Sequence, residues 1–143
     1  MNGSTLLEET VDDFRRRSNT KCSLTYKVDN IEKLAQVMVM KSTLNKNYLI
    51  PLKMSSQLAQ DIYDQEEVNL LFYQADDQLK IKAKLTPRYL DWRNAEVHNE
   101  IWIRMYTHIR TVIDDKDDYE YVLFEIEIIQ AILCSDDFER RIK

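Results

Sequence analysis

Lysine and hydroxyl side chains are the residues of this sequence best suited to bind an anion. The chain of 143 residues contains a single glycine, Gly3. Glycine-rich phosphate loops and dinucleotide-binding turns need glycine where the backbone turns sharply or approaches a phosphate closely, so these motifs are excluded. A phosphate-bearing ligand would have to be held by lysines, by serine or threonine hydroxyls and by ordinary helix or strand amides.

Three lysines recur at alternate positions of one predicted strand. Lys80, Lys82 and Lys84 share one face of the segment Gln78–Leu85, and apolar residues occupy the other face. The lysine face indicates either a solvated surface or a site for an anionic ligand. The solvated surface is the preferred interpretation, because outward charge is ordinary in strands with one wet side.

Cysteine and histidine do not form a recognisable catalytic or metal-binding pattern. Cys22 and Cys134 lie far apart in the sequence and are interpreted as buried, reduced thiols. His98 and His108 are ten residues apart, which is not the spacing of a zinc pair. We therefore expect no metal site, and the sequence pattern does not identify catalytic residues.

Composition predicts one domain over residues 1–143. The chain is 44% hydrophobic and 31% charged, which suffices for a core that needs no disulfide or metal. The net charge of −5 disfavours a nucleic-acid partner. Apolar runs fall far short of the roughly 20 residues that cross a bilayer, and the N-terminal residues are polar and acidic. We expect a cytoplasmic protein without a membrane partner.

The periodicity of apolar residues predicts a small closed sheet with one helix plugging it. Helical spacing over 5–17 predicts a helix that lies on the sheet. A short helix capped by Ser55 or Ser56 and a long helix over 91–114 are also predicted. Pro51 implies that its strand ends there or lacks a partner on one side. Strands are predicted at Cys22–Val28, Leu34–Met40, Tyr48–Leu52, Val68–Tyr73, Gln78–Leu85 and Tyr119–Cys134.

The last predicted strand carries Glu125 and Glu127 on one face and apolar residues on the other. If this strand pairs with the lysine strand, carboxylates oppose ammonium groups across the ladder and help to fix the register.

The order of the elements resembles that of the pyridoxamine 5'-phosphate oxidase-like split barrels, especially their general stress protein branch. The resemblance depends on LAQVMVM (34–40), YLIPLKMSSQLAQDIYDQEEVNLLFY (48–73) and DDYEYVLFEIEIIQAIL (117–133). It implies an α+β fold, a mainly antiparallel split β-barrel of about six strands with flanking helices.

The same resemblance implies a homodimer that binds FMN in clefts between its subunits and acts as a flavin-dependent oxidoreductase on a substrate that is not readable. The flavin ring would lie along the strand residues Gln36, Val37, Met38 and Val39. The remaining candidate contacts, which include the phosphate loop, are Lys53, Met54, Ser55, Ser56, Gln57 and Trp102.

Two positions depart from the flavin-binding pattern. Gln36 stands where a basic residue is frequent, and Gln57 or Leu58 stands where lysine is usual. Charge-assisted donors to a phosphate contribute about 1.5–3 kcal/mol each, so their loss weakens binding. Lys53 or Lys41 could substitute for them. Alternatively, the serines only cap the helix and Lys53 is solvated.

A barrel that has lost flavin is the alternative function. Such a protein would be a non-enzymatic module for haem, another ring ligand or a protein partner, with His98 or His108 as a candidate axial ligand. The dimer interface would include Trp102, Tyr106 and Ile109 of the long predicted helix. An unrelated α+β domain is the third possibility.

Overall fold

The protein is described by a computed structural model that covers residues 3–41, 47–53, 56–88, 121–136 and 138–143. Within these ranges the chain forms two helices and eight strands. In chain order they are α1 (Gly3–Arg17), β1 (Lys21–Val28), β2 (Ile31–Met38), β3 (Met40–Lys41), β4 (Tyr48–Lys53), α2 (Gln57–Tyr63), β5 (Val68–Gln74), β6 (Asp77–Arg88), β7 (Tyr121–Cys134) and β8 (Glu139–Arg141).

The strands form one antiparallel sheet that curls back on itself. Its order is β2-β1-β5-β6-β7-β4-β3, with β8 added to β7. β2 and β3 stand at opposite ends of this order, although only Val39 separates them in the chain. Because consecutive Cα atoms are about 3.8 Å apart, the two ends of the sheet must meet. This arrangement confirms the predicted α+β split barrel with flanking helices.

Burial alternates along the barrel strands as the sequence predicts. On β6, Leu79 and Ala83 are fully buried, whereas Lys80 and Lys84 are exposed. β1 buries alternate residues in the same way. Cys22, on β1, is a free thiol whose pKa burial raises to about 12, in agreement with its interpretation as a small apolar core residue.

The lysine strand pairs with the last long strand, which confirms the proposed pairing. Lys84 lies directly opposite Glu127. The register shifts at Lys82 and Ala83, where β7 has an extra residue, Ile129, between the partners of these two positions. A bulge of this kind changes which face the following residues occupy. Past the bulge, Gln130 takes the face of the lysines.

The strand predicted at Leu34–Met40 is two strands in the structure. β2 begins earlier, directly after a tight turn in which Asp29 and Asn30 adopt positive φ values of 53° and 67°, a conformation that these residue types tolerate. The break falls at Val39, because its N–H donates to the Thr20 carbonyl at 2.8 Å rather than to a ladder partner. β3 and the short β8 account for the strands beyond the expected six.

Pro51 lies inside β4, which continues to Lys53. β3 pairs only with Tyr48 and Leu49. In the described part of the chain, β4 therefore has a ladder partner at Pro51 on one side, where Leu123 of β7 is opposite. Of the two predicted explanations for this proline, the strand with one unpaired side is the correct one.

The predicted long helix over 91–114, with Trp102, Tyr106 and Ile109, lies outside the described residues. Neither α1 nor α2 is long and apolar enough to cross a membrane.

Candidate functional site

Lys41, one of the proposed phosphate-site cations, is bound by the N-terminal helix. Its ammonium contacts Glu8 Oε1 at 2.6 Å and Asp12 Oδ2 at 2.7 Å. The Tyr48 hydroxyl donates to Asp12 Oδ1 at 2.9 Å, and Arg15 Nε donates to the Val39 carbonyl at 2.8 Å. These contacts fix α1 across the point where β2 passes into β3.

The electrostatics of this cluster keep Lys41 protonated. Burial by itself lowers the pKa of Lys41, but hydrogen bonds to Asp12 and Glu8 and the charges of both carboxylates outweigh it and raise the pKa. Burial and the hydrogen bond to Asp12 also raise the pKa of Tyr48. The charge of Lys41 is compensated within the chain, so it is not presented to a ligand.

Ser56 acts as a helix cap. Its backbone is extended, and its Oγ accepts a hydrogen bond from the Ala59 N–H at 3.1 Å. The same hydroxyl donates to the Lys53 carbonyl at 2.7 Å. This geometry is that of an N-cap, which satisfies an otherwise unpaired helix donor. It holds Lys53 and the start of α2 together, while Met54 and Ser55 lie outside the described residues.

Gln57 is hydrogen-bonded within α2 to Asp61, which in turn contacts the barrel. Its Nε2 donates to Asp61 Oδ1 at 2.7 Å, and the Tyr26 hydroxyl donates to Asp61 Oδ2 at 2.9 Å. Lys33 Nζ lies 3.5 Å from the same carboxylate, whose side chain is 9% exposed. The hydrogen bonds from Gln57 and Tyr26, together with the charge of Lys33, lower the pKa of Asp61.

The candidate ring-side strand divides its side chains between two faces. Val37 and Val39 are buried in the core, so only their backbone can line a site. Gln36 is exposed, and its Nε2 donates to the Ser23 Oγ of β1 at 2.9 Å. Met38 has the same strand phase as Gln36 and is half-buried.

The structure brings parts of the two predicted site segments to the same side of the barrel. β2 and β4 are in contact. β3, which follows β2 after Val39, pairs Met40 with Leu49 of β4. The strand that carries Gln36 and the strand that ends at Lys53 are therefore neighbours in the barrel, whereas Trp102 lies outside the described residues.

A groove of about 500 Å³ runs across the outer face of the sheet beside Gln36. It spans five adjacent strands, from β2 to β7. Its lining combines apolar, amide and hydroxyl side chains with two lysines: Ser23, Thr25, Leu34, Asn69, Leu70, Leu71, Lys80, Ile81, Lys82, Gln130 and Ile132.

Strand register arranges the outer floor of this groove in two rows. In each row every residue is paired directly with the next across neighbouring strands, and we call them the leucine–lysine row and the amide row. The leucine–lysine row is Gln36, Ser23, Leu71, Lys80 and Ile132. The amide row is Leu34, Thr25, Asn69, Lys82 and Gln130.

The described lining of the groove is positively charged. Among the described residues that line it, the charged ones are Lys80 and Lys82, in a chain of net charge −5. Lys82 lies 3.5 Å from Glu67, and both side chains are more than 40% exposed. Lys80 forms no ion pair with any of the residues that the structure describes. The alternation of the lysines was readable from the sequence, and the pairing of their strand with the last long strand was proposed from it, but the residues directly opposite Lys80 and Lys82 were not.

No protein-family model and no curated protein sequence matches this chain. Its fold is similar to that of solved structures.

General stress protein 26 from Bacillus anthracis is 14% identical with a TM-score of 0.70, and the match covers 94% of this chain and 98% of that one. The haem storage protein HutZ from Vibrio cholerae is 13% identical with a TM-score of 0.64, over 90% and 94% of the two chains. A pyridoxamine 5'-phosphate oxidase-related, FMN-binding protein from Nostoc punctiforme is 11% identical with a TM-score of 0.64, over 93% and 86%. At these identities the likeness is one of fold, and it extends over nearly the whole chain. The curled antiparallel sheet, its closure at Val39 and these neighbours together identify the fold as the pyridoxamine 5'-phosphate oxidase-like split barrel.

Proposed function

We propose that this protein binds a flat ring ligand with an anionic substituent, FMN or haem, in the outer-face groove. The observation that carries the proposal is the groove itself, because the charged residues in its described lining are two lysines and its floor mixes apolar and hydrogen-bonding side chains. FMN and haem share the matching chemistry, which is a large planar ring that carries an anion: a phosphate at the end of the ribityl chain in FMN, and propionate carboxylates at the ring edge in haem.

The size and chemistry of the groove suit such a ring. Ligand pockets are typically about 300–1,000 Å³ and mostly apolar with a few placed polar groups, and the volume here is about 500 Å³. Leu34, Leu71 and Ile132 offer apolar contact. Thr25 and Asn69 offer hydrogen bonds to the ring heteroatoms of a flavin.

The phosphate loop implied by the family resemblance fits a phosphate dianion less well. Gln36 is hydrogen-bonded to Ser23, and Gln57 to Asp61. The Ser56 hydroxyl caps α2, and Lys41 is held by two carboxylates. Lys53 is then the cation that this loop contributes within the described residues. Ligand binding at the groove is thus better supported than binding at the loop.

The similar structures support both ligands. One neighbour is an FMN-binding protein and another is a haem storage protein. If FMN is the ligand, the flavin supplies redox chemistry while the protein binds, orients and shields it, and an oxidoreductase of unknown substrate is the expected activity. If haem is the ligand, the protein is a non-enzymatic binding module.

A homodimer is part of this proposal. The outer face of β2 exposes Leu34, which is 69% accessible in the single chain. A second copy placed over this face would bury Leu34 and cover the groove. Size-exclusion chromatography with light scattering should report twice the 17.1 kDa chain mass. A monomer at all concentrations would contradict the dimer.

The test of ligand binding begins with the absorption spectrum of freshly purified protein, followed by titration with FMN and, separately, with haem. Leu71→Glu places a carboxylate on the groove floor directly opposite Lys80 and should weaken binding about tenfold or more, because it removes an apolar contact with the ring and competes with the ligand anion for the lysine. Tyr73→Glu is the matched control, because Tyr73 lies on the same face of β5, is 61% exposed and does not line the groove. Equal effects of the two substitutions, or colourless protein that binds neither ligand at high concentration, would contradict the proposal.

The two histidines provide a separate check for haem. His98 and His108 lie outside the described residues. A Soret shift that is lost in His98→Ala or in His108→Ala would identify an axial ligand. Haem binding that both variants retain unchanged would exclude a histidine ligand.

A further inference from the structure

We infer that Lys80 and Lys82 bind the anionic group of the ligand, so that the charged end of the ligand lies over β6. This inference rests on the proposed function. It places the anion several strands away from the loop of Lys53 to Gln57, where the family resemblance puts the phosphate.

The position of the two lysines suits one shared anion. Lys80 lies between Leu71 and Ile132 in the leucine–lysine row, and Lys82 lies between Asn69 and Gln130 in the amide row. Residues two apart on a strand point to the same face, about 7 Å apart. Two long, flexible ammonium side chains at that spacing can converge on one phosphate or carboxylate.

The local charge balance favours an incoming anion at this place. Among the described residues that line the groove, none is a carboxylate. The ion pair of Lys82 with Glu67, at 3.5 Å, is solvent-exposed, and exposed pairs are weak and screened by salt. A phosphate can therefore compete with Glu67 for Lys82, while Lys80 has no ion pair to exchange within the described part of the chain.

The direction of the rows then orients the ring. From Lys80 the leucine–lysine row continues through Leu71 to Ser23 and Gln36. A ligand whose anion is held at β6 can extend along this row, across Leu71 and towards Ser23. The hydrogen-bonded pair of Gln36 and Ser23 would then meet an uncharged part of the ligand, which agrees with the absence of a cation at position 36.

The experiment compares ligands that differ only in the anion. FMN and riboflavin are titrated into the wild type, Lys80→Gln, Lys82→Gln and Lys84→Gln by flavin fluorescence, and haem and its dimethyl ester form the parallel pair. Lys84 is the matched control because it lies on the same face of the same strand, is exposed and is outside the groove lining. We expect Lys80→Gln and Lys82→Gln each to weaken FMN or haem binding about tenfold, with binding of the uncharged partner ligand unchanged and with Lys84→Gln matching the wild type.

Lys53→Gln separates this inference from the proposed function. In one outcome ring ligands bind, and the tighter binding of the charged ligand relative to its uncharged partner is lost in Lys53→Gln but kept in Lys80→Gln and Lys82→Gln. The anion then lies at the loop. This outcome overturns the inference and leaves the proposed function standing. Pyrophosphate is the ring-free probe. Pyrophosphate binding that requires Lys80 and Lys82, without binding of either ring, supports the lysine site and overturns the ring-ligand function. Binding of neither pyrophosphate nor a ring overturns both.

Discussion

Two lysine environments on this barrel differ in how their charge is compensated. Lys41 lies where α1 crosses the sheet, within hydrogen-bond distance of Glu8 and Asp12 and with its side chain 20% exposed. Lys80 lies at the centre of the outer face, in a groove whose described lining residues include no carboxylate. The first lysine joins a helix to the barrel, whereas the second has no ion-pair partner among the residues that the structure describes.

This difference shows why position in the fold matters more than residue type. A partly buried ammonium needs its partners, because an unpaired charge removed from water is costly. An exposed ammonium contributes little to stability and is available to a ligand. We therefore expect substitutions around α1 to change stability, and substitutions in the groove to change binding.

The largest effect on the free energy of unfolding should come from the apolar contact between α1 and β5. Phe14 is 2% exposed and lies 6.3 Å from the ring of Phe72, centroid to centroid. Phe14→Ala should lower the free energy of unfolding by about 3–5 kcal/mol, because it leaves a cavity between α1 and β5. Urea denaturation measures the change. Phe138→Ala is the control, since Phe138 is 52% exposed, and a similar loss in both variants would contradict the assignment of Phe14 to the core.

The carboxylate of Asp12 should have the next largest effect. Asp12 accepts from Lys41 at 2.7 Å and from the Tyr48 hydroxyl at 2.9 Å. Asp12→Asn weakens both contacts and should cost about 1–3 kcal/mol of stability, measured by chemical denaturation. Asp13→Asn, one residue on and paired with the exposed Arg16, should cost about 1 kcal/mol or less. Binding in the groove should be unchanged in both variants, and a loss of ligand affinity in Asp12→Asn would break the distinction between the two regions.

Alkaline pH should destabilise the barrel through Tyr26. Burial, with the hydrogen bond to Asp61, raises the pKa of Tyr26 to about 12, compared with about 10 in unfolded chains. The folded state therefore holds the phenol proton more tightly than the unfolded state does. The contribution of Tyr26 to the free energy of unfolding is complete below pH 10 and is lost as pH rises towards about 12. Between pH 9 and pH 12, the free energy of unfolding of Tyr26→Phe should fall less steeply with pH than that of the wild type, as measured by chemical denaturation. The exposed Tyr73→Phe should follow the wild type, and a profile that is the same in all three proteins would exclude the Tyr26 contribution.

The smallest stability effect should be at Lys80. Lys80→Gln should change the free energy of unfolding by about 0.5 kcal/mol or less, as is usual for exposed surface positions, although it weakens ligand binding. Thermal denaturation without ligand measures this change. A destabilisation as large as that of Asp12→Asn would show that Lys80 has a structural role and would remove the difference between the two lysines.

Periodicity predicted the barrel well, but it predicted the site only in part. The alternation on β6 indicated its buried face correctly, because a half-buried strand must place apolar residues at every second position. The division of the strand at Val39 was missed, because it depends on a hydrogen bond to Thr20 from another segment. The role of Lys41 was missed for the same reason, since Glu8 and Asp12 are 33 and 29 residues away in the chain.

The sequence by itself determined the alternating burial of β1 and β6, the lysine face of β6, a serine cap at Ser55 or Ser56 and the exclusion of glycine-dependent phosphate motifs. Each of these follows from local spacing and residue type. Tertiary structure decided which side chains share a surface. The bulge at Ile129 brings Gln130 and Ile132 onto the face of Lys80, and no local pattern encodes that shift, because register is a property of two strands together. The groove exists only once five strands are aligned.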